Sequence, residues 1–167
     1  MEHISSDTNV WIDFFVIGRT EIPFHLPYIF IMNCDALDDE LLSPSGLREK
    51  LLQCGLISVE LTIEQFGLAE ELGSRYPQLS IYDRIALAIA IVRKIVLLTG
   101  DRALRQAAKR ENVKVLGTIG ILDQLLHGSY IDEHNYEFCL QELQKHNGQE
   151  VRLPRSAINS RLQRLKK

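Results

Sequence analysis

Short apolar runs rich in Ile and Val recur along the chain at His3–Ser6, Tyr28–Asn33, Leu56–Leu61, Ile95–Thr99 and Val113–Leu116. Each has strand length, and the stretches between them space their apolar residues by three and four, as helices do. The alternation predicts about five strands joined by helical crossovers. Such an alternation fits an open α/β fold, whose strands would be parallel. In the stretch 63–76, Phe66, Leu68, Ala69 and Leu72 lie near helical spacing, and Pro77 closes the segment. From Ser80 onward, Ile81, Ile85, Leu87, Ala88, Ala90 and Ile91 make a helix apolar almost all round, which marks it as buried. The stretch 102–112 is instead an exposed helix carrying Arg102, Arg105, Lys109 and Arg110. Gly117-Thr118 turns the chain into another helix over 119–127.

No strand-like run follows residue 130. Tyr136, Phe138, Leu140 and Leu143 mark one helix, and Pro154 opens a last one with Ile158, Leu162 and Leu165 as its apolar stripe. Residues 1–130 are therefore expected to form the α/β domain and 131–167 a C-terminal helical extension of it, either packed on it or docking another chain. The loop Gly18–Pro27 and the break at Pro44-Ser45-Gly46 are too short to divide domains.

Composition agrees with one domain, since 167 residues at 46% apolar suffice for a single buried core. The longest clean apolar run, 85–92, stops at Arg93-Lys94, short of the ~18 residues of a membrane span. Met1-Glu2-His3 lacks the start of a secretion signal, and the three cysteines, Cys34, Cys54 and Cys139, show no paired spacing. A soluble cytoplasmic protein without membrane contact is expected. Charge is unevenly spread: residues 1–60 hold ten acids against three bases, whereas 151–167 hold six bases and no acid. That basic end suits phosphates or is simply a solvated helix end.

Four acids stand out by position: Asp7, Glu40, Asp83 and Asp101, each read as lying just past a short apolar run and just before a helix-like stretch, at a strand-to-helix junction. Singly, most have a plain structural explanation. Asp7 and Asp101 can cap the helices that follow them, and Ser80-Ile81-Tyr82-Asp83 has capping-box form. Glu40 competes with Asp35, Asp38 and Asp39 beside it. Jointly they are harder to explain as caps, because the C-terminal ends of parallel strands would bring them together. Two carboxylates about 4 Å apart repel by roughly 4 kcal/mol at an effective dielectric near 20. A hard divalent cation such as Mg²⁺ relieves that repulsion with oxygen ligands. The five histidines show no ligand spacing, which argues against zinc. Asn9 and Thr99 are either turn residues or partners orienting the acids. Arg84, Arg102 and Arg105 are candidates for phosphate contacts or for pairing with neighbouring carboxylates. Trp11 is read as a core or dimer contact.

These residues resemble the PIN-domain nucleases. Asp7-Thr8-Asn9-Val10 is similar to the family's opening motif, Asp39-Glu40-Leu41 to its second, Ser80-x-x-Asp83 with Ile85-Ala86-Leu87-Ala88 to its third, and Thr99-Gly100-Asp101 to its fourth. Val115–Leu122 resembles a stretch of a VapC-like toxin subgroup. The resemblance covers residues 3–130. It implies a PIN-like three-layer α/β/α sandwich around a central parallel sheet of about five strands, and Mg²⁺- or Mn²⁺-dependent hydrolysis of RNA, with Asp7, Asp83, Asp101 and Glu40 as metal-holding, catalytic residues. It also implies a homodimer and, for toxin members, a cognate antitoxin. Asp39 and Glu40 compete for the fourth acid, and the basic segment past residue 150 has no counterpart role.

Two other readings exist. A receiver-type phosphoacceptor domain needs paired acids after the first strand and a Lys after the last, but Ser5-Ser6 precede Asp7, and Lys114 lies inside the fifth run. A PIN-like module that binds RNA or protein without cutting remains as the alternative.

Overall fold

In the computed structural model, which describes residues 1–167, five strands lie in one sheet: β1 (Glu2–Ser6), β2 (Tyr28–Asn33), β3 (Ile57–Val59), β4 (Val96–Leu98) and β5 (Val115–Leu116). Their order is β3-β2-β1-β4-β5, and every pairing is parallel. The strands fall within or beside the five apolar runs. The third is shorter than its run because Glu60-Leu61-Thr62 leaves the sheet to start a helix, where Thr62 and Gln65 form a reciprocal capping box. The chain winds outward one way from β1 through β2 and β3, then restarts beside β1 with β4. The C-terminal ends of β1 and β4 thus flank the point where the winding reverses, the place where open α/β sheets build their sites.

The side-chain period of two along a strand divides the core into two halves. Ile4, Phe30, Met32 and Leu98 face one side, against helices α1 (Thr8–Val16), α2 (Cys34–Glu40), α3 (Leu47–Cys54) and α7 (Thr118–His127). Ile31 and Leu97 face the other, against α4 (Ile63–Arg75), α5 (Ile81–Arg93) and α6 (Arg102–Arg110). A short 3-10 helix, Ile22–His25, brings Phe24 onto Trp11. Trp11 is fully buried, stacked on Phe24 at 5.1 Å and edge-on to Phe30 at 5.1 Å, so it is a core residue. The helix α5 is buried along Ile85–Ala90, as its nearly all-apolar sequence requires, and the Ser5 hydroxyl donates to Ala86 O at 2.9 Å, pinning it to β1.

The last two helices, α8 (Glu133–His146) and α9 (Arg155–Leu165), pack on the first half of the core through Tyr136, Cys139, Leu140, Leu143 and Ile158. Asp123 of α7 locks them in place. It accepts the Tyr136 hydroxyl at 2.6 Å and a forked contact from Arg161 at 2.8–3.0 Å. No helix is long and apolar enough to cross a membrane.

Candidate active site

The turn after β4 and the start of α1 are tied together by short polar contacts. Asp7 N–H donates to Leu98 O at 2.9 Å, carrying the β1–β4 ladder one step past the strands. The Asp7 carboxylate caps α1, accepting Thr8 N–H at 2.8 Å through Oδ1, while Oδ2 accepts the Thr99 hydroxyl at 2.9 Å. Thr99 Oγ1 in turn accepts Asp101 N–H at 3.1 Å, and the Asp101 carboxylate caps α6 through Leu104 N–H at 2.8 Å. Asn9 Oδ1 accepts Gly100 N–H at 3.0 Å. Thr99 and Asn9 therefore fix the spacing of Asp7 and Asp101 from two directions.

Two of the four acids arrive differently from the sequence expectation. Only Asp7 and Asp101 stand at strand-to-helix junctions. Asp83 lies in the first turn of α5, which follows a helix and loop, and it takes part in the Ser80 capping box at 3.1 Å in each direction. It reaches the site because α5 docks across β1. Glu40 is the last residue of α2, more than a turn beyond β2. Its Oε1 is buried without a hydrogen-bond partner. Asp39, its competitor, is exposed and takes the Tyr82 hydroxyl instead.

The carboxylates feel one another. Burial pushes Asp7 up to about 6, helped by the charges of Asp83 and Asp101 and opposed by the Thr8 and Thr99 hydrogen bonds. Burial pushes Glu40 up to about 7, with Asp7, Asp83 and Asp39 adding to it. Asp83 is raised by burial and by Asp101, with Ser80 and Arg84 pulling the other way. The site concentrates negative charge that the protein itself leaves largely uncompensated. As arranged, no three His, Cys, Asp or Glu side chains converge on one ion position. The donors are all oxygens, one of them orphaned and buried, which fits a hard divalent cation that keeps part of its water shell and takes only one or two carboxylates directly.

Of the three candidate arginines, Arg84 is engaged locally. Its Nε donates to Ser80 O at 3.3 Å, and its guanidinium lies against Gly73 of α4, where there is no side chain to exclude it. Arg102 and Arg105 are exposed on α6. Two polar residues escaped the sequence reading. Tyr82 is one, its contact with Asp39 invisible without the docking of α5. Asp13 is the other: buried on α1, it accepts the Thr118 hydroxyl at 2.7 Å at the start of α7. A lone acid within Val10–Phe15 was the available signal.

Comparison with known proteins bears on the whole chain. The profile of the family described as "DUF3368: PIN domain" matches residues 4–167. The chain belongs to the PIN-domain family. PIN domains are generally nucleases, bind nucleic acid and use divalent metal. Among solved structures this PIN domain is similar to a PilT N-terminus domain protein from the hyperthermophilic archaeon Sulfolobus solfataricus P2. The two share 14% identity with a TM-score of 0.52, over 75% of this chain and 94% of that one, a likeness of fold. No curated protein matches the sequence. The PIN family match runs through α8 and α9 to the last residue, farther than the motif resemblance reached.

Proposed function

We propose that this PIN domain is a divalent-metal-dependent endoribonuclease, the toxin of a toxin–antitoxin pair, acting in the cytoplasm as a homodimer. The observation that carries the nuclease reading is the set of mutually repelling carboxylates Asp7, Asp83 and Glu40, with Asp101 beside them and one Glu40 oxygen buried without a partner. Asp7, Asp83 and Asp101 would hold Mg²⁺ or Mn²⁺, with Glu40 ligating directly or through water. Such a cation, when bound, activates a water for attack and neutralises charge developing on the phosphate and leaving oxygen. Thr99 holds the Asp7 carboxylate and accepts the Asp101 backbone N–H, and Asn9 holds the turn that carries Asp101. The helix N-terminus behind Asp7, through Thr8 N–H, favours its ionised carboxylate. Arg102 and Arg105 contact substrate phosphates.

Likeness of Val115–Leu122 to toxin members supports the toxin role, and an antitoxin segment would then compete with RNA for the acids. The rival reading is a PIN-like module binding RNA or protein without cutting. It draws on the spread of the acids, which bring no three side chains onto one ion position.

The test is cleavage of labelled RNA by the purified chain in Mg²⁺, Mn²⁺ or chelator, alongside Asp7→Asn and Asp101→Asn. Metal-dependent cleavage that falls at least about 100-fold in both variants is expected. Thermal melts with added Mn²⁺ run in parallel, since a cation bound to the folded state raises the melting temperature. No cleavage and no Mn²⁺-linked stabilisation would leave the binding-module reading in place.

A further inference from the structure

A second charged feature begins where the acidic site ends. Between α6 and the segment joining α8 to α9 runs an open groove of about 930 Å³. Its cationic lining comes from both walls: Arg102, Arg105 and Lys109 from α6, and Arg152 and Arg155 from the C-terminal segment. No acid lines it, although acids outnumber bases in the whole chain by 22 to 19. None of these five side chains makes an ion pair or a hydrogen bond within the protein, whereas Arg48, Arg75 and Arg161 all pair with carboxylates. Five unpaired cations facing one groove repel one another, and an anionic ligand would remove that repulsion.

The groove's position ties it to the acids. Gly100, whose N–H is held by Asn9 and whose neighbour is Asp101, forms part of its lining. Arg105 leans over Gly117, where a Cβ would lie 2.9 Å from its Nη1 and 3.5 Å from Thr99 O, so its guanidinium covers a glycine that adjoins the turn carrying Asp101. At the other wall, α9 opens at Pro154 with no side chain capping its first turn. Its free N–H groups add positive potential to that of Arg155.

We propose that this groove is the track for the sugar–phosphate backbone of the nucleic-acid strand, so that residues 147–155 form one wall of the substrate site. The proposal deepens the nuclease reading and rests on it for the strand being a substrate. The lining favours a backbone over bases or a protein. Its chemistry is that of phosphate contact, guanidinium and ammonium groups in a row, and it holds no aromatic side chain on which a base could stack. Along α6, Arg102, Arg105 and Lys109 form a stripe about 10 Å long, which suits a repeating charge better than a single anion. The basic C-terminal segment thereby gains a role: Arg152 and Arg155 face the cations of α6 across one groove.

The test is fluorescence anisotropy with a labelled single-stranded oligonucleotide, as RNA and as DNA of the same sequence, using the full chain in chelator so that nothing is cut. Five phosphate contacts give log Kd a dependence on log salt of about 3.5, at about 0.7 per contact. Arg152→Glu/Arg155→Glu should weaken binding at least about tenfold and, like the neutral Arg152→Gln/Arg155→Gln pair, lower the slope by about 1.4. Both pairs are exposed and unpaired, so melting temperatures should stay at the wild-type value. Arg93→Glu/Lys94→Glu, at the far end of α5, carries the same charge change and should bind as wild type. RNA and DNA should bind within about threefold, as phosphates alone do not report the 2′-hydroxyl.

Wild-type affinity and slope in both Arg152/Arg155 pairs would overturn the proposal. So would equal losses in the Arg93/Lys94 pair, which would make the effect one of net charge. Tighter binding of a polyglutamate peptide than of either oligonucleotide would overturn it in favour of an acidic protein segment. Binding through the groove without cleavage in Mg²⁺ or Mn²⁺ would keep this proposal and remove the nuclease reading. Cleavage with unchanged binding in the variants would do the reverse.

Discussion

Asp13→Asn should stabilise this protein at neutral pH, and the gain should shrink as the solution is acidified. Asp13 is buried on α1 with one side-chain partner, the Thr118 hydroxyl. Burial outweighs that hydrogen bond and raises its carboxyl from 3.8 to about 6. A carboxyl raised on folding binds its proton more tightly in the folded state. Stability is therefore fully present below about pH 3.8 and is lost as pH rises through about 6. At about 1.36 kcal/mol per pH unit the loss amounts to about 3 kcal/mol by pH 7.5. The N-terminus of α7, whose cap Gly117 offers no side chain of its own, returns up to about 1 kcal/mol to the charged form. Asparagine has nearly the same shape, and its amide oxygen can still accept from Thr118. The net gain should be about 2 kcal/mol at pH 7.5, or roughly 4–8 °C in melting temperature for a domain of this size. Near pH 4 it should fall to about 0.5 kcal/mol or less. Urea unfolding at pH 4, 6 and 7.5, in chelator to keep the acidic site out of the comparison, measures the difference directly. A variant less stable than wild type at pH 7.5, or a difference that does not change with pH, would refute the reasoning.

Three further outcomes follow from the site and core. Glu40→Gln should cut metal-dependent cleavage at least about tenfold while Asp39→Asn leaves it near wild type, because Glu40 is coupled to Asp7 and Asp83 while Asp39 serves the Tyr82 hydroxyl. Single-turnover rates on one RNA decide between them, and the opposite ranking would move the fourth position to Asp39. Thr99→Val should slow cleavage about 10–100-fold and cost about 1–3 kcal/mol, since it strips one hydrogen bond each from buried Asp7 and from Asp101 N–H. Thr99→Ser, which keeps the hydroxyl, should restore most of both. Trp11→Ala should cost about 3–5 kcal/mol by opening the Trp11–Phe24–Phe30 cluster, read by denaturant melts.

Much of the local structure is legible in short segments. Strand runs and helix spacings follow from side-chain period. The cap roles of Asp7, Asp101 and Ser80 with Asp83 follow from residues one to three positions apart, and all are present. Glu40 was harder. It and Asp39 are adjacent on a helix that turns about 100° per residue, and which one faces the other acids depends on how α2 seats on β2 and β3. Arg84 shows the same dependence: its neighbour in sequence is Asp83, but Gly73 of a different helix decides where its guanidinium rests.

By itself the sequence determined the order of strands and helices, the parallel crossovers and the capping of the helices that bear three of the acids. Those properties arise from interactions within a few residues, where periodicity and cap chemistry act. Only the tertiary structure decided that β4 returns beside β1, which brings Asp101 to Asp7, and that α5 lies across β1, which adds Asp83. It alone brought the segment past residue 147 against α6, so that basic residues some fifty positions apart in the chain face one groove. Packing of apolar faces sets those meetings, and the charges are carried along by it.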